Sequence, residues 1–132
     1  MKAYVDGSSL GMYGYILGKK TKIVKDHPMT NNQAEWMAVL TLLMDLEQST
    51  AITIYSDSQI VVNQLKGEWE TRNPMMKHMK EVCLQVIVVK QLKINIIWVP
   101  RKDNLCGKHL EKLLRRIRKK RKKLRSKRER GF

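Results

Sequence analysis

The chain is poor in several residues whose abundance marks large classes of protein. Its 132 residues include two cysteines, Cys83 and Cys106. Two are too few for a disulfide framework, and their spacing matches no metal-binding pattern. Both read as small buried hydrophobes in a reducing compartment, so a cytoplasmic location is expected. No apolar run approaches the roughly 20 residues that span a bilayer, which excludes a helical membrane anchor from the expected architecture. The first residues, MKAYVDGSS, lack the apolar stretch of a secretory signal and read directly into a strand. Acids are scarce as well: 12 Asp or Glu stand against 27 Lys or Arg, for a net charge of +15.

That charge is concentrated. From Lys112 to Arg130 there are thirteen Lys or Arg and one acid, Glu129, so this segment holds +12 and the rest of the chain only about +3. A nearly balanced body, residues 1–117, is therefore expected to carry a basic tail, residues 118–132. One domain of this length can bury a core of its own. The tail, with Arg118, Lys119, Lys120 and Arg121 at its start, favours a polyanion, and nucleic acid is the expected one because clustered cations gain from counterion release. RKKRKK (118–123) has no apolar face, which argues against a membrane surface. A merely solubilising tail is the plainer alternative. No feature implies a protein partner, and a monomer is expected.

Three short β-like segments come first: Lys2 to Asp6, Met12 to Gly18 and Lys22 to His27. Turn residues separate them, which predicts an antiparallel meander. After Pro28, Asn31 or Asn32 caps a long apolar helix running to about Leu46. AITIYS (51–56) reads as a buried parallel strand, followed by a helix through DSQIVVNQL that Gly67 closes. Pro74 opens another helix with Met75, Met79, Val82 and Val86 on one face. INIIWV (94–99) is the last strand, and Leu110, Leu113, Leu114 and Ile117 mark a final helix. The order predicts an α/β fold with a mixed five-stranded sheet flanked by helices.

Three acids fall where they can converge. Asp6 ends the first strand, Glu35 lies early in the first helix, and Asp57 follows the central parallel strand. Clustered carboxylates repel one another unless cations neutralise them. Hard divalent ions do so, and Mg²⁺ takes a few carboxylates together with phosphate oxygens. Each acid has a local alternative: turn chemistry at Asp6-Gly7, a capping box from Asn32 to Glu35, a helix cap at Asp57. Their joint occurrence on these elements favours a site.

VDGSSLGMYGYIL, TNNQAEWMAVL, IYSDSQIVVNQL and IIWVPRKDN together resemble the successive signature blocks of type 1 ribonuclease H, over roughly Met1 to Leu114. The resemblance implies a ribonuclease H-like fold and hydrolysis of the RNA strand of an RNA–DNA hybrid. It further implies two Mg²⁺ or Mn²⁺ ions held by Asp6, Glu35 and Asp57, and products with 5′-phosphate and 3′-hydroxyl ends. Asn31, Asn32 and Gln33 match the residues that read RNA in the family. Their amides suit a 2′-hydroxyl, which both donates and accepts. Ser8 and Ser9 are placed to touch the backbone, whereas Trp69 is expected in the core.

The pattern breaks near the final helix. The family's fourth carboxylate falls four residues after an Asn, and here Asn104-Leu105-Cys106-Gly107-Lys108 puts a lysine there. Three readings follow: Asn104 supplies a neutral oxygen ligand, Asp103 fills the gap, or the protein only binds hybrids. Asn104 is the expected substitute, with a plain helix cap as its alternative. Arg101 and Lys102 occupy the loop where many members carry a histidine, and they are expected to face nucleic acid. His109 reads as a surface residue. Segment 68–77 is too short and acidic to be the family's basic protrusion, a role left to the tail. A transposase or resolvase core remains the outside alternative, disfavoured by the compact length and the RNA-reading block.

Overall fold

Lys2–Ser8, Met12–Leu17 and Lys20–Lys25 form strands β1, β2 and β3 of an antiparallel meander. The architecture is that of a computed structural model describing residues 1–129. Gly11 makes the first turn possible. It has a positive φ of 88°, and a side chain there would collide with the backbone of Asp26 and His27. β1 extends two residues past the expected end, so Asp6 sits inside a strand opposite Gly14 and not in a turn.

Helix α1 (Asn31–Asp45) is capped by Thr30, whose Oγ1 accepts from Gln33 N at 3.1 Å. The cap thus falls one residue before the expected asparagines, so neither of them serves as the cap. Ala34, Trp36, Ala38, Val39, Leu42 and Leu43 of α1 are fully buried, making it the centre of the core. β4 (Ala51–Ser56) pairs in parallel with β1 and with β5 (Lys93–Trp98), giving the sheet order β3-β2-β1-β4-β5. The mixed five-stranded sheet is therefore as the sequence predicts.

Helix α2 (Gln59–Leu65) begins at a Ser58 cap, so Asp57 stays outside it. On α3 (Pro74–Val89) the buried line is Met76, Met79 and Cys83, with Met75 and Val86 only partly covered. The inward face is turned by about one residue from the expected one because α3 packs on α1 and not on the sheet. Trp69, expected in the core, is 45% exposed on the α2–α3 connection.

Lys90, just after α3, closes the far end of α1. Its Nζ donates to the carbonyls of Leu43 (3.2 Å) and Leu46 (2.8 Å), and also to that of Met44. These are carbonyls with no partner within the helix, and a cation there also complements the helix dipole. Lys90→Met is expected to lower the unfolding free energy by about 1–3 kcal/mol, read as an earlier midpoint in urea.

Helix α4 (Leu105–Glu129) runs unbroken from the body into the basic segment. Cys106, Gly107 and Leu110 are buried, Leu113, Leu114 and Ile117 half-buried, and nearly all that follows is exposed. The expected tail is helical up to Glu129; Arg130 to Phe132 lie outside the described residues. Among the described residues no helix is long and apolar enough to cross a membrane.

Candidate active site

The sheet register sets the first two acids side by side. Tyr4 on β1 is level with Tyr55 on β4, their rings stacked at 5.1 Å, so Asp6 and Asp57 emerge together two residues further on. Successive strand residues face opposite sides. Gly7 meets α1, where a Cβ would overlap the Ala34 carbonyl, while the Asp6 carboxylate faces α4. The missing side chain at Gly7 lets α1 approach β1 closely enough for Glu35 to reach the same point. Ligand oxygens of Asp6, Glu35 and Asp57 lie within 4.8 Å of one another.

Asp6 and Glu35 are only 7% and 9% exposed. Burial pushes the Asp6 carboxyl up to about 6, with the Asp57 charge adding to the rise and contact with Glu35 opposing it. Burial and then the neighbouring Asp6 charge hold Glu35 well above the usual carboxylate range. Asp57 is raised by burial, with the Arg101 guanidinium pulling against it. Glu35 Oε2 is buried with no hydrogen-bond partner among the described residues. Converging acids with an unpartnered inward oxygen fit a divalent cation.

A carboxyl raised in the folded state favours folding below its unfolded value, near 3.8, and loses that contribution as pH rises through about 6. In EDTA the protein is expected to lose on the order of 2 kcal/mol between pH 4.5 and pH 7.5 from Asp6 alone. Mg²⁺ or Mn²⁺ should restore it at the higher pH by binding the ionised cluster. Urea melts at both pH values, with and without metal, check this; equal stability in EDTA at both would count against the cluster.

The acids open into a cleft of about 390 Å³. It is lined by Ser8 of β1, Asn31 and Asn32 of α1, Ser58 and Arg101, and along α4 by Gly107, Leu110, Glu111, Leu114, Arg115 and Arg118. A family model described as RNase H matches residues 1–108. The chain belongs to the RNase H family. It is 32% identical over 83 residues to the bifunctional protein Rv2228c of Mycobacterium tuberculosis, 61% of this chain but only 22% of that one. It is 30% identical to a ribonuclease H of Syntrophus aciditrophicus, across 73% of this chain and 66% of that protein. The structure of RNase H1 from Halobacterium salinarum superposes with a TM-score of 0.66 at 27% identity, covering 78% and 87% of the two chains.

Against the RNase H pattern, the fourth position takes a different form from the expected one. Asn104 is fully buried, and its Oδ1 accepts from Cys106 N (3.1 Å) and Gly107 N (3.3 Å). Its Nδ2 donates to Val5 O at 2.9 Å. Two N–H groups on one side and a carbonyl on the other fix which atom is oxygen. That oxygen is the cap of α4 and not a metal ligand, which corrects the expectation. Asp103 is exposed on the 3₁₀ turn Arg101–Asp103 and does not line the cleft. Nor does Lys108, which is exposed. Gly107 occupies the wall beside the acids.

The other expected contacts divide. Ser8, Asn31, Asn32, Arg101 and Arg118 line the cleft; Gln33 and Lys102 do not. Ser8 Oγ accepts from Leu10 N at 3.3 Å, and Asn31 Oδ1 accepts from Ser9 N at 3.2 Å, which holds the β1–β2 turn against α1. The helical tail carries Lys119, Lys120 and Arg121 around different faces. Lys120 flanks a hollow with Met12 and Lys25, and Arg121 one with Lys122 and Arg125. Sequence reasoning missed Glu111 and Arg115. Counting turns from Gly107 (i+4, i+8) finds both, once α4 is known to pass the acids.

Proposed function

We propose that this protein is a metal-dependent endoribonuclease that hydrolyses the RNA strand of RNA–DNA hybrids. The carrying observation is the convergence of Asp6, Glu35 and Asp57, with Glu35 Oε2 unpartnered, at the floor of a cleft with a basic wall. Family membership supports the reaction class. Asp6, Glu35 and Asp57 would hold two Mg²⁺ or Mn²⁺ ions, which when bound supply water activation and leaving-oxygen stabilisation. The products of that chemistry carry 5′-phosphate and 3′-hydroxyl ends.

The chain's own groups do the rest. Asn31 and Asn32 offer amides at the cleft edge, where a 2′-hydroxyl separates RNA from DNA. Arg101 faces a phosphate and offsets the acids' charge. Arg118 continues the basic wall outward, and we assign residues 118–132 the role of a phosphate-holding arm. We also take the chain to act as a monomer in the cytoplasm, a reading supported by two free, buried thiols. The second reading, a hybrid-binding protein without catalysis, is favoured by one observation: neither Asn104 nor Lys108 offers a fourth ligand. Labelled RNA–DNA hybrid, duplex DNA and duplex RNA, each incubated in Mg²⁺ and in Mn²⁺, separate the two. Hybrid cleavage alone supports the nuclease; tight hybrid binding without cleavage in either metal supports the binder.

A further inference from the structure

The proposed nuclease site leaves open what replaces the family's fourth acid, and the inference drawn here rests on that proposal. α4 brings one carboxylate to the cleft wall, Glu111. It stands one helical turn beyond Gly107, the residue packed against the other acids. A Cβ at position 107 would lie 3.4 Å from Asp6 Oδ2 and 3.6 Å from Asp57 Oδ2. Side chains on a helix lean toward its N-terminus, so that of Glu111 is directed back along the turn that starts at Gly107. Gly107 has no side chain to block that path. A glutamate also reaches one methylene further than the aspartate of the family pattern.

At rest Glu111 has another partner. Its Oε1 accepts from Arg115 Nη2 at 2.9 Å, with the side chains 53% and 68% exposed. Such exposed pairs one turn apart are weak and exchange easily for a stronger ligand. We propose that Glu111 is the fourth carboxylate of the metal site, leaving Arg115 to join Asp6, Glu35 and Asp57 when divalent cations bind. The family's acid has in effect moved one turn along α4: Gly107 opens the space, Glu111 supplies the charge, and Lys108 is free to point away. Arg115 is then a positioning residue that competes with the cations for Glu111.

The test is Mn²⁺ binding to the full-length protein, without nucleic acid, by calorimetry and by the loss of the free Mn²⁺ electron paramagnetic resonance signal. Glu111→Gln is expected to weaken binding about tenfold, the lower end of what supporting groups at metal sites contribute. Arg115→Gln is expected to tighten it, and that gain should vanish when Glu111→Gln is also present. Both residues are exposed, so circular dichroism should show the fold intact. Wild-type Mn²⁺ affinity in Glu111→Gln, with binding lost in Asp57→Asn, overturns the role of Glu111 and keeps the three-acid site. Unchanged binding in Asp57→Asn as well overturns the metal site itself.

Discussion

Asp57→Asn is expected to reduce hybrid cleavage by on the order of 10²–10³-fold, the scale on which loss of one charge-stabilising group acts in a preorganised site. The substitution preserves shape and removes one charge from a cluster whose ligand oxygens lie within 4.8 Å. Hybrid affinity should hold or rise, since a negative charge leaves a surface that receives phosphates. The same change should also raise the melting temperature in EDTA, because one of three mutually repelling, partly buried acids is gone. Single-turnover cleavage, fluorescence anisotropy and thermal melts read these effects. Loss of activity together with a gain in metal-free stability is the signature of a functional cluster. Wild-type cleavage by Asp57→Asn would exclude these acids as the catalytic centre.

Truncation after Ile117 is expected to have the largest effect on binding. A disordered arm would let each of its basic residues reach a phosphate, but α4 is helical through Glu129. At 100° per residue, Arg118, Arg121 and Arg125 lie within about 40° of the direction in which Gly107 faces the cleft, while Lys119, Lys120 and Lys123 point elsewhere. Arg118 lies in both the cleft wall and the depression lined by Arg121, Lys122 and Arg125, so the basic surface is continuous with the site. Three phosphate contacts predict a fall of about 3 in the slope of log affinity against log salt. Anisotropy titrations of full-length and truncated protein between 50 and 200 mM salt measure it at about those concentrations. An unchanged slope removes the arm from the interface; a fall near 9 means that the helix does not persist on the hybrid.

Much of this was legible in the sequence, for reasons that differ by element. β4 and β5 are short β-branched runs that read alike in isolation and in the sheet. Asp6, Glu35 and Asp57 were legible because each stands in a block that resembles the family, and because β1 and β4, as neighbours, set the two aspartates at one sheet edge. Caps were misplaced by one residue: Thr30 and Ser58 present hydroxyls as well suited to capping as the Asn and Asp beside them, and only the backbone decides among neighbours. Asn104 is the instructive error. As a residue type it fits a ligand or a cap equally, and its choice depends on Val5 O, which is 99 residues away in the chain. Trp69 was misjudged because an aromatic among polar residues carries no periodicity to reveal its exposure. Glu111 carries no signal in the sequence, because the family pattern places its acid at the position of Lys108 and a glutamate on a basic helix reads as a surface residue.

Helix α1 is a lever with an unusual placement of its pivot. Its backbone touches β1 at Gly7 and Ala34, one residue from Glu35, while Lys90 holds the opposite end beyond Leu43. Nine residues separate Ala34 from Leu43, or about 13 Å of helix. A tilt about the pivot that moves the far end by 1 Å moves the Glu35 backbone by roughly a tenth of that, from the ratio of the two arms at 1.5 Å rise per residue. The site is thereby insulated from loosening at the distant end. Lys90→Met should cost stability yet leave Mn²⁺ affinity untouched, whereas a methyl group added at Gly7, overlapping the Ala34 backbone, should cost both, displacing Glu35 and pushing the buried helix α1 off the sheet.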